Sequence, residues 1–319
     1  MSIETALATY DNRQAFADEL AELARTDERI VAVCNDSVGS SNLNAFRDEF
    51  PDRLINVGIA EQDMVGVGAG LAASGLIPFV CGAAPFLTGR SLEQVKADVA
   101  YSQHPVILCG MSPGFAYGEL GPTHHSVEDL SWLRPLPGLD IVVPADRRQT
   151  RQAVRAAVAE PRPTFIRVGR TKVPDVTVEG DELVRGRFNV AREGSDVTLI
   201  GTGTTVSVCL AAAEQLAADG TSVRVLNAAS ITPFDTESVV AAAGETCAIV
   251  TVEEANVAGG LGAAVAGVVV TLPRSHRVPM RILGLTDFAP TGSAAFLMEH
   301  FGLTPADVAR AARDAVADA

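Results

Sequence analysis

Short apolar runs alternate with longer helix-patterned segments along this chain, and that alternation is its strongest constraint. ERIVAVC from Glu28, DRLINVG from Asp52, LIPFVCG from Leu76, HPVILCG from His104, GLDIVVP from Gly138 and PTFIRVG from Pro163 read as strands. Helical segments separate them at Arg13 to Ala24, Ala60 to Ser74, Leu92 to Tyr101 and Asp146 to Ala159. The runs are apolar on both faces, so the sheet they form must be covered on both sides. A parallel sheet meets that demand, because its crossovers lay helices on both faces.

The rhythm stops between Lys172 and Ser195, where Pro174, Gly180, Gly186, Gly194 and alternating charges mark a linker, with room for a short strand. A second alternation follows. DVTLIGTG from Asp196, TSVRVLNAAS from Thr221, ETCAIVTVEE from Glu245 and VPMRILGL from Val278 read as strands. Helices fall at Thr204 to Ala218, within TPFDTESVVAAA, in GGLGAAVAGVVV and from Thr304 to Ala317. The expected fold is α/β with two doubly wound domains, 1–171 and a smaller 196–319, joined by the linker 172–195. A length of 319 residues fits two domains.

Composition narrows the function classes. With 47% hydrophobic residues the chain can offset the entropy of ordering, so it is not a disordered segment. A net charge of −14 repels phosphate backbones and anionic lipid, which argues against nucleic-acid and membrane partners. No apolar run is as long as a membrane span. The start MSIETALATYDNRQAF lacks the basic and apolar regions of a secretory signal, so a cytoplasmic protein is expected. Cys34, Cys81, Cys109, Cys209 and Cys247 are far apart and form no CxxC pair, so buried free thiols are expected rather than disulfides or a metal site.

Two segments carry candidate chemistry. In RLINVGIAEQDMVGVGAGLAASG a strand runs into a helix that begins at Glu61. Ligands bind at the carboxyl ends of strands in open parallel sheets, which puts Glu61 at a ligand-facing edge. A first-turn Glu that merely complements the helix dipole is the plainer alternative. Along that helix Gly66, Ala69, Gly70 and Ala73 recur at helical spacing. Each helical Gly costs about 1 kcal/mol relative to Ala, which calls for a packing reason: a close helix–helix contact between subunits. In GMSPGFAYGELGPTHHSVEDL a glycine-rich loop presents His124 and His125, placed for proton transfer near neutral pH or, alternatively, structural. Ser126 is positioned to cap a helix beginning SVEDL, with Asp129 completing a weak capping box. Adjacent histidines rarely chelate one ion and no Cys or carboxylate stands at ligand spacing, so no metal site is expected in this chain.

The runs INVGIAEQDMVGVGAGLA, PFLTGRSLEQV, GPTHHSVEDLSWLR, IVVPAD and FIRVGR occur in this order. With the later TLIGTG, ITPFD and VTVEEANVAGGLG, they resemble the C-terminal half of thiamine-diphosphate transketolases, as found in enzymes split over two genes. The 1-deoxyxylulose-5-phosphate synthases and the β subunits of 2-oxo acid dehydrogenase E1 share the plan. The resemblance implies a thiamine-pyrimidine-binding domain followed by a transketolase C-terminal-like domain. It places the family's activating glutamate on Glu61, which bonds the aminopyrimidine ring nitrogen and so should be buried with a raised pKa. Ile59, in the same motif, would lie against the cofactor, and Phe86 would stack on its pyrimidine. His124 matches a histidine that handles substrate protons, and His125 replaces the usual Gln and would assist. Arg170 matches an arginine that holds the substrate phosphate, and Arg13 falls near another, though a solvated helix arginine is the plainer reading of Arg13.

The resemblance also exposes departures. The family's GDG motif with its downstream Asn, which holds Mg2+ and the diphosphate, has no counterpart here; EGDEL at Glu179 lies in the linker. That implies a separate N-terminal, diphosphate-binding partner subunit in an α2β2 heterotetramer acting on a ketose donor and an aldehyde acceptor. GELGPTH replaces GEDGPTH, so Leu120 stands where an Asp would recognise a donor hydroxyl. Ser112 stands in place of a phosphate-binding His, and Ala83 in place of an aromatic. A Leu accepts no hydrogen bond, so the expectation is a specialised ketol transfer rather than a housekeeping role. Two other readings remain: a decarboxylating E1 β-like subunit passing an acyl unit to a carrier, and a degenerate scaffold subunit. GTGTT and AGGLG look like glycine-rich nucleotide loops, and a tight strand-to-helix turn is the plainer reading of GTGTT.

Overall fold

The computed structural model describes residues 8–319. Every strand expected from the apolar runs forms. Leu54–Asn56, Ile30–Cys34, Ile77–Ala83, Ile107–Met111, Thr164–Val168 and Asp140–Val142 lie side by side, all parallel, in a seven-stranded sheet. The seventh strand is Ser230–Thr232, which comes from the C-terminal half and pairs antiparallel with Asp140–Val142.

Side-chain alternation in the first sheet divides its core cleanly. Ile30, Ala32, Cys34, Phe79, Ile107 and Ile166 face the helices Asn12–Ala24 and Arg147–Ala159. Val33, Val80, Leu108 and Phe165 face Met64 and Val65 of the helix Glu61–Ala73. Each such buried side chain contributes about 1.5–3 kcal/mol. The second cluster runs on without a break into Ile200, Leu226, Val239 and Val265, so the two halves share a core. The C-terminal half has a five-stranded sheet, ordered Met280–Leu285, Ala248–Asn256, Val197–Gly201, Val223–Asn227 and Asn189–Arg192, with only the last strand antiparallel.

The stretch read as a linker is tied down at several points. Val173–Pro174 pairs with Thr9–Tyr10, and the Asp146 carboxylate accepts the backbone N–H groups of Val176 and Thr177 at 2.8 and 2.7 Å. Asn189–Arg192 then enters the second sheet.

Three local expectations are corrected. Between Leu92 and Tyr101 only Leu92–Gln94 is α-helical, and Val95–Tyr101 continues in wider π-type turns. Ser126 does not cap the helix Asp129–Leu133; its hydroxyl is unpartnered. Its backbone instead forms an antiparallel bridge with Gly114, while Asp129 bonds its own neighbour Leu130 and Arg167. In the small-residue helix, Ala69 is 5% exposed and belongs to this chain's own core. Gly66 and Gly70, by contrast, face open space. The four positions therefore do not share one free face.

All five cysteines are unpaired. Cys34, Cys81 and Cys109 lie opposite one another across three strands, and burial pushes the Cys34 thiol up to about 11.

Candidate active site

Because the strands of the first sheet are parallel, their carboxyl ends share one edge. Asn35 follows Ile30–Cys34, and Glu61 opens its helix just after Leu54–Asn56. Phe86 and Arg90 lie in and just after the helix Ala84–Gly89 that follows Ile77–Ala83. The histidine loop follows Ile107–Met111, and Arg170 follows Thr164–Val168.

Glu61 is 3% exposed. Asn35 Nδ2 donates to its Oε1 at 2.7 Å, and Asn35 is itself oriented by the Ser37 hydroxyl at 2.5 Å. Arg90 Nη1 donates to both carboxylate oxygens at 3.1 Å. The same guanidinium lies over the Phe86 ring, 4.2 Å from its centroid. Burial pushes the Glu61 carboxyl up, but its own backbone N–H, Asn35 and Arg90 outweigh that and hold it below the ordinary glutamate range. The expected raised pKa is thus not found in this chain by itself: three donors favour the charged form more than burial opposes it.

His124 continues the same wall. Its ring meets Phe86 edge-on at 5.2 Å and Tyr117 at 6.4 Å, and Thr123 Oγ1 lies 3.0 Å from its Nδ1. The exposed Arg170 has its guanidinium carbon 5.1 Å from the Tyr117 ring centre. A cleft of about 440 Å³ adjoins, lined by Tyr117, Leu120, Arg170 and Ser293 among others. Leu120 is 56% exposed at this cleft, and Ile59, just ahead of Glu61, is 77% exposed. The structure thus brings Glu61, Phe86, His124 and Arg170 into one row, linked by Arg90 and Tyr117.

Three other candidates stand apart from that row. His125 is buried; its Nε2 lies 3.1 Å from the Gly118 carbonyl and its ring meets Phe115 edge-on. Arg13 donates to Asp11 at 2.6 Å and to the Ser40 carbonyl at 2.8 Å, so its fork is already taken up. Ser112 is wholly buried with its hydroxyl unpartnered, in a left-handed backbone conformation of φ 58°.

The glycine-rich loops are filled by this chain itself. At GTGTT, Thr205 Oγ1 accepts the Thr202 N–H at 3.0 Å, closing a tight turn. At AGGLG, the Glu253 carboxylate takes the N–H groups of Leu261 and Gly262 at 2.7 and 2.8 Å. Burial pushes the Glu253 carboxyl up to about 7, although those two N–H groups and Arg167 oppose it. Among the described residues no group of three or more His, Cys, Asp or Glu is placed to hold a metal ion, and no helix is long and apolar enough to cross a membrane.

Asn35, Arg90 and Tyr117 carry site contacts that the motif reading left unassigned. For Arg90 a signal existed: it stands four residues after Phe86, a spacing that puts both on one helical face.

Residues 8–176 match the family described as transketolase, pyrimidine binding domain, and residues 186–308 match transketolase, C-terminal domain. The chain is 46% identical over 306 residues to an apulose-4-phosphate transketolase subunit of Phocaeicola vulgatus, covering 95% of this chain and 97% of that one. It is 40% identical over 312 residues to the 6-deoxy-6-sulfo-D-fructose transketolase subunit SqwH of a Clostridium species, covering 98% and 96%. Among solved structures, a chain titled split gene transketolase, inactive beta4 tetramer, superposes with a TM-score of 0.87 at 36% identity, covering 97% of this chain and 99% of that one. The two parallel-sheet domains and these matches along both halves agree: the chain belongs to the transketolase family and corresponds to its pyrimidine-binding and C-terminal domains.

Proposed function

We propose that this chain is the C-terminal subunit of a two-gene transketolase that moves a two-carbon ketol unit from an anionic ketose to an aldehyde, in a specialised sugar pathway. The observation that carries this reading is the continuous row from Glu61 through Phe86 and His124 to Arg170. The two similar subunits are named for apulose-4-phosphate and 6-deoxy-6-sulfo-D-fructose, both of which carry an anionic group. Arg170, exposed at the cleft, is suited to hold such a group, because a guanidinium forks onto phosphate or sulfonate oxygens. Leu120 beside it gives the cleft an apolar wall where a hydroxyl-reading Asp would favour polyols.

The residues present fit thiamine diphosphate at the pyrimidine end. A planar nitrogen group already lies on Phe86 while donating to Glu61, in the form of the Arg90 guanidinium. A pyrimidine would use the same stacking face and the same buried acceptor, with Ile59 beside it. When bound, the cofactor supplies the electron sink that lets a carbon–carbon bond next to a carbonyl break. Glu61 then holds or shares a proton at a ring nitrogen, Phe86 fixes the ring plane, and His124 moves protons at the substrate hydroxyl and carbonyl. His125 supports that loop from within its core, and Arg13 and Ser112 act at most at its margin.

The diphosphate and Mg2+ are assigned to an N-terminal partner subunit in an α2β2 assembly. The similar chain solved as an inactive β4 tetramer supports the need for that partner. Five unpaired thiols fit a reducing cytoplasm. Reconstitution with an N-terminal, diphosphate-binding subunit tests the proposal. Ketose cleavage dependent on both chains supports it; 2-oxo acid decarboxylation in its place points to the acyl-transfer reading, and turnover unchanged by Glu61→Ala points to a scaffold.

A further inference from the structure

The C-terminal half meets the histidine loop at several points, with the Gly292 N–H donating to the Gly118 carbonyl at 3.1 Å and Phe301 stacked on Phe115, and it holds the root of the loop through one buried carboxylate. Glu254, near the end of Ala248–Asn256, is 5% exposed. One of its oxygens accepts the backbone N–H of Phe115 at 2.6 Å, and the other accepts the Thr204 hydroxyl at 2.7 Å. The loop is shaped around it: a Cβ on Gly114 would stand 2.4 Å from the carboxyl group. Arg167, 4% exposed, ties the far end of the loop to the same strand. Its guanidinium donates to Asp129 at 2.8 Å, to the Ser126 carbonyl at 2.9 Å and to the Glu254 carbonyl at 3.0 Å. Phe115 is therefore anchored directly on Ala248–Asn256 and Ser126 through Arg167, and Tyr117 and His124 stand between those anchors.

We propose that Glu254 is a positioning residue for ketol transfer: it clamps the loop 113–126 so that His124 stays edge-on to Phe86. The inference rests on the reading of His124 as the proton-handling group. The loop carries Gly114, Gly118 and Gly121, so its backbone has much freedom to lose, and a 2.6 Å hydrogen bond to a buried carboxyl group at its root removes that freedom where it matters. A carboxylate does this more firmly than an apolar contact, because its two oxygens fix both distance and direction. Glu61 and Phe86 lie on other segments, so the clamp serves proton transfer and leaves cofactor capture alone.

The test uses the reconstituted two-subunit enzyme with thiamine diphosphate as the titrant. Glu254→Ala should lower kcat at least tenfold, inside the roughly 100-fold that a misplacement of about 1 Å costs. Its thiamine diphosphate affinity, by calorimetry, should stay within about twofold, because the clamp does not touch Glu61 or Phe86. Amide exchange should accelerate in 113–126 and not in 61–73. Glu254→Gln, which keeps an acceptor for the Phe115 N–H, should recover most of kcat. An unchanged kcat, an unchanged exchange rate in the loop, or an equal fall in cofactor affinity would overturn the proposal. If the Ala variant does not assemble, Thr204→Val decides: a smaller drop in kcat with faster loop exchange supports the clamp, and wild-type values in both overturn it. His124→Ala is the control for the underlying reading; full turnover there overturns the role of His124 itself, whatever Glu254 does.

Discussion

Arg90 bridges both oxygens of Glu61 at 3.1 Å and at the same time caps the face of Phe86. A side chain of this chain thus makes the two contacts that a pyrimidine needs, and after the backbone N–H and Asn35 it helps hold the Glu61 carboxyl below the ordinary glutamate range against burial. A group whose folded pKa is depressed adds stability above its unfolded pKa and loses it as pH falls through the folded pKa. Arg90→Ala should therefore raise the Glu61 carboxyl, and the acid limb of the isolated subunit's stability curve should move to higher pH. Carbon-detected NMR titration of the glutamate side chains checks the first effect and thermal melts across pH the second.

Glu61→Gln keeps the shape and an acceptor for Asn35 but cannot take up or release a proton. The reconstituted enzyme should lose at least about 100-fold in kcat, within the range general acid–base groups contribute. Steady-state kinetics against the wild type checks it.

Leu120→Asp should restore an acceptor at the cleft beside Arg170. The ratio of kcat/KM for a fully hydroxylated ketose phosphate over a deoxy or sulfonated ketose should rise by about tenfold or more. Competing-substrate assays measure that ratio directly.

Glu253 shows the opposite pH behaviour to Glu61. Its folded carboxyl, at about 7, lies above the ordinary value of 4.5, so the native state binds the proton more tightly than the unfolded chain. Its contribution is complete below the unfolded pKa and fades as pH rises towards 7, an effect on the order of 3 kcal/mol. Melts of wild type and Glu253→Gln between pH 4.5 and 7.5 should diverge, with the wild type falling more steeply.

Gly70→Leu and Ala69→Leu should separate assembly from folding. Gly70 opens on free space, so its enlargement should leave the isolated fold intact and disturb subunit association, as seen by sedimentation. Ala69 lies in the core, so its enlargement should lower the melting temperature, with a cost of about 1–3 kcal/mol.

Much of this was legible in the amino-acid order. Runs such as IVAVC and VILCG are apolar at every position, and together with the helical segments between them they point to a parallel sheet covered on both faces. Periodicity did not show which side of the Gly66–Ala73 segment turns inwards, because small residues occupy both sides of it. The cap expected at Ser126 failed because pairing with Gly114, a tertiary contact, claimed its backbone first. The Glu61 edge was visible because a strand running into a helix places the first helical residue there. Arg90 offered only its four-residue spacing from Phe86, and a half-exposed arginine reads as solvated until its stack on that ring is seen. Glu254 lies 139 residues from Phe115, and no local pattern encodes so distant a bond.

The short strand Ser230–Thr232 lies against Asp140–Val142 in the first half's sheet. Severing the polypeptide between the halves would strip that cover and bare a row of hungry amide and carbonyl groups. Such a raw margin recruits foreign strands. An N-terminal fragment made without its C-terminal companion should clump rather than circulate as a tidy half-molecule, so any dissection of this subunit has to carry residues 230–232 along.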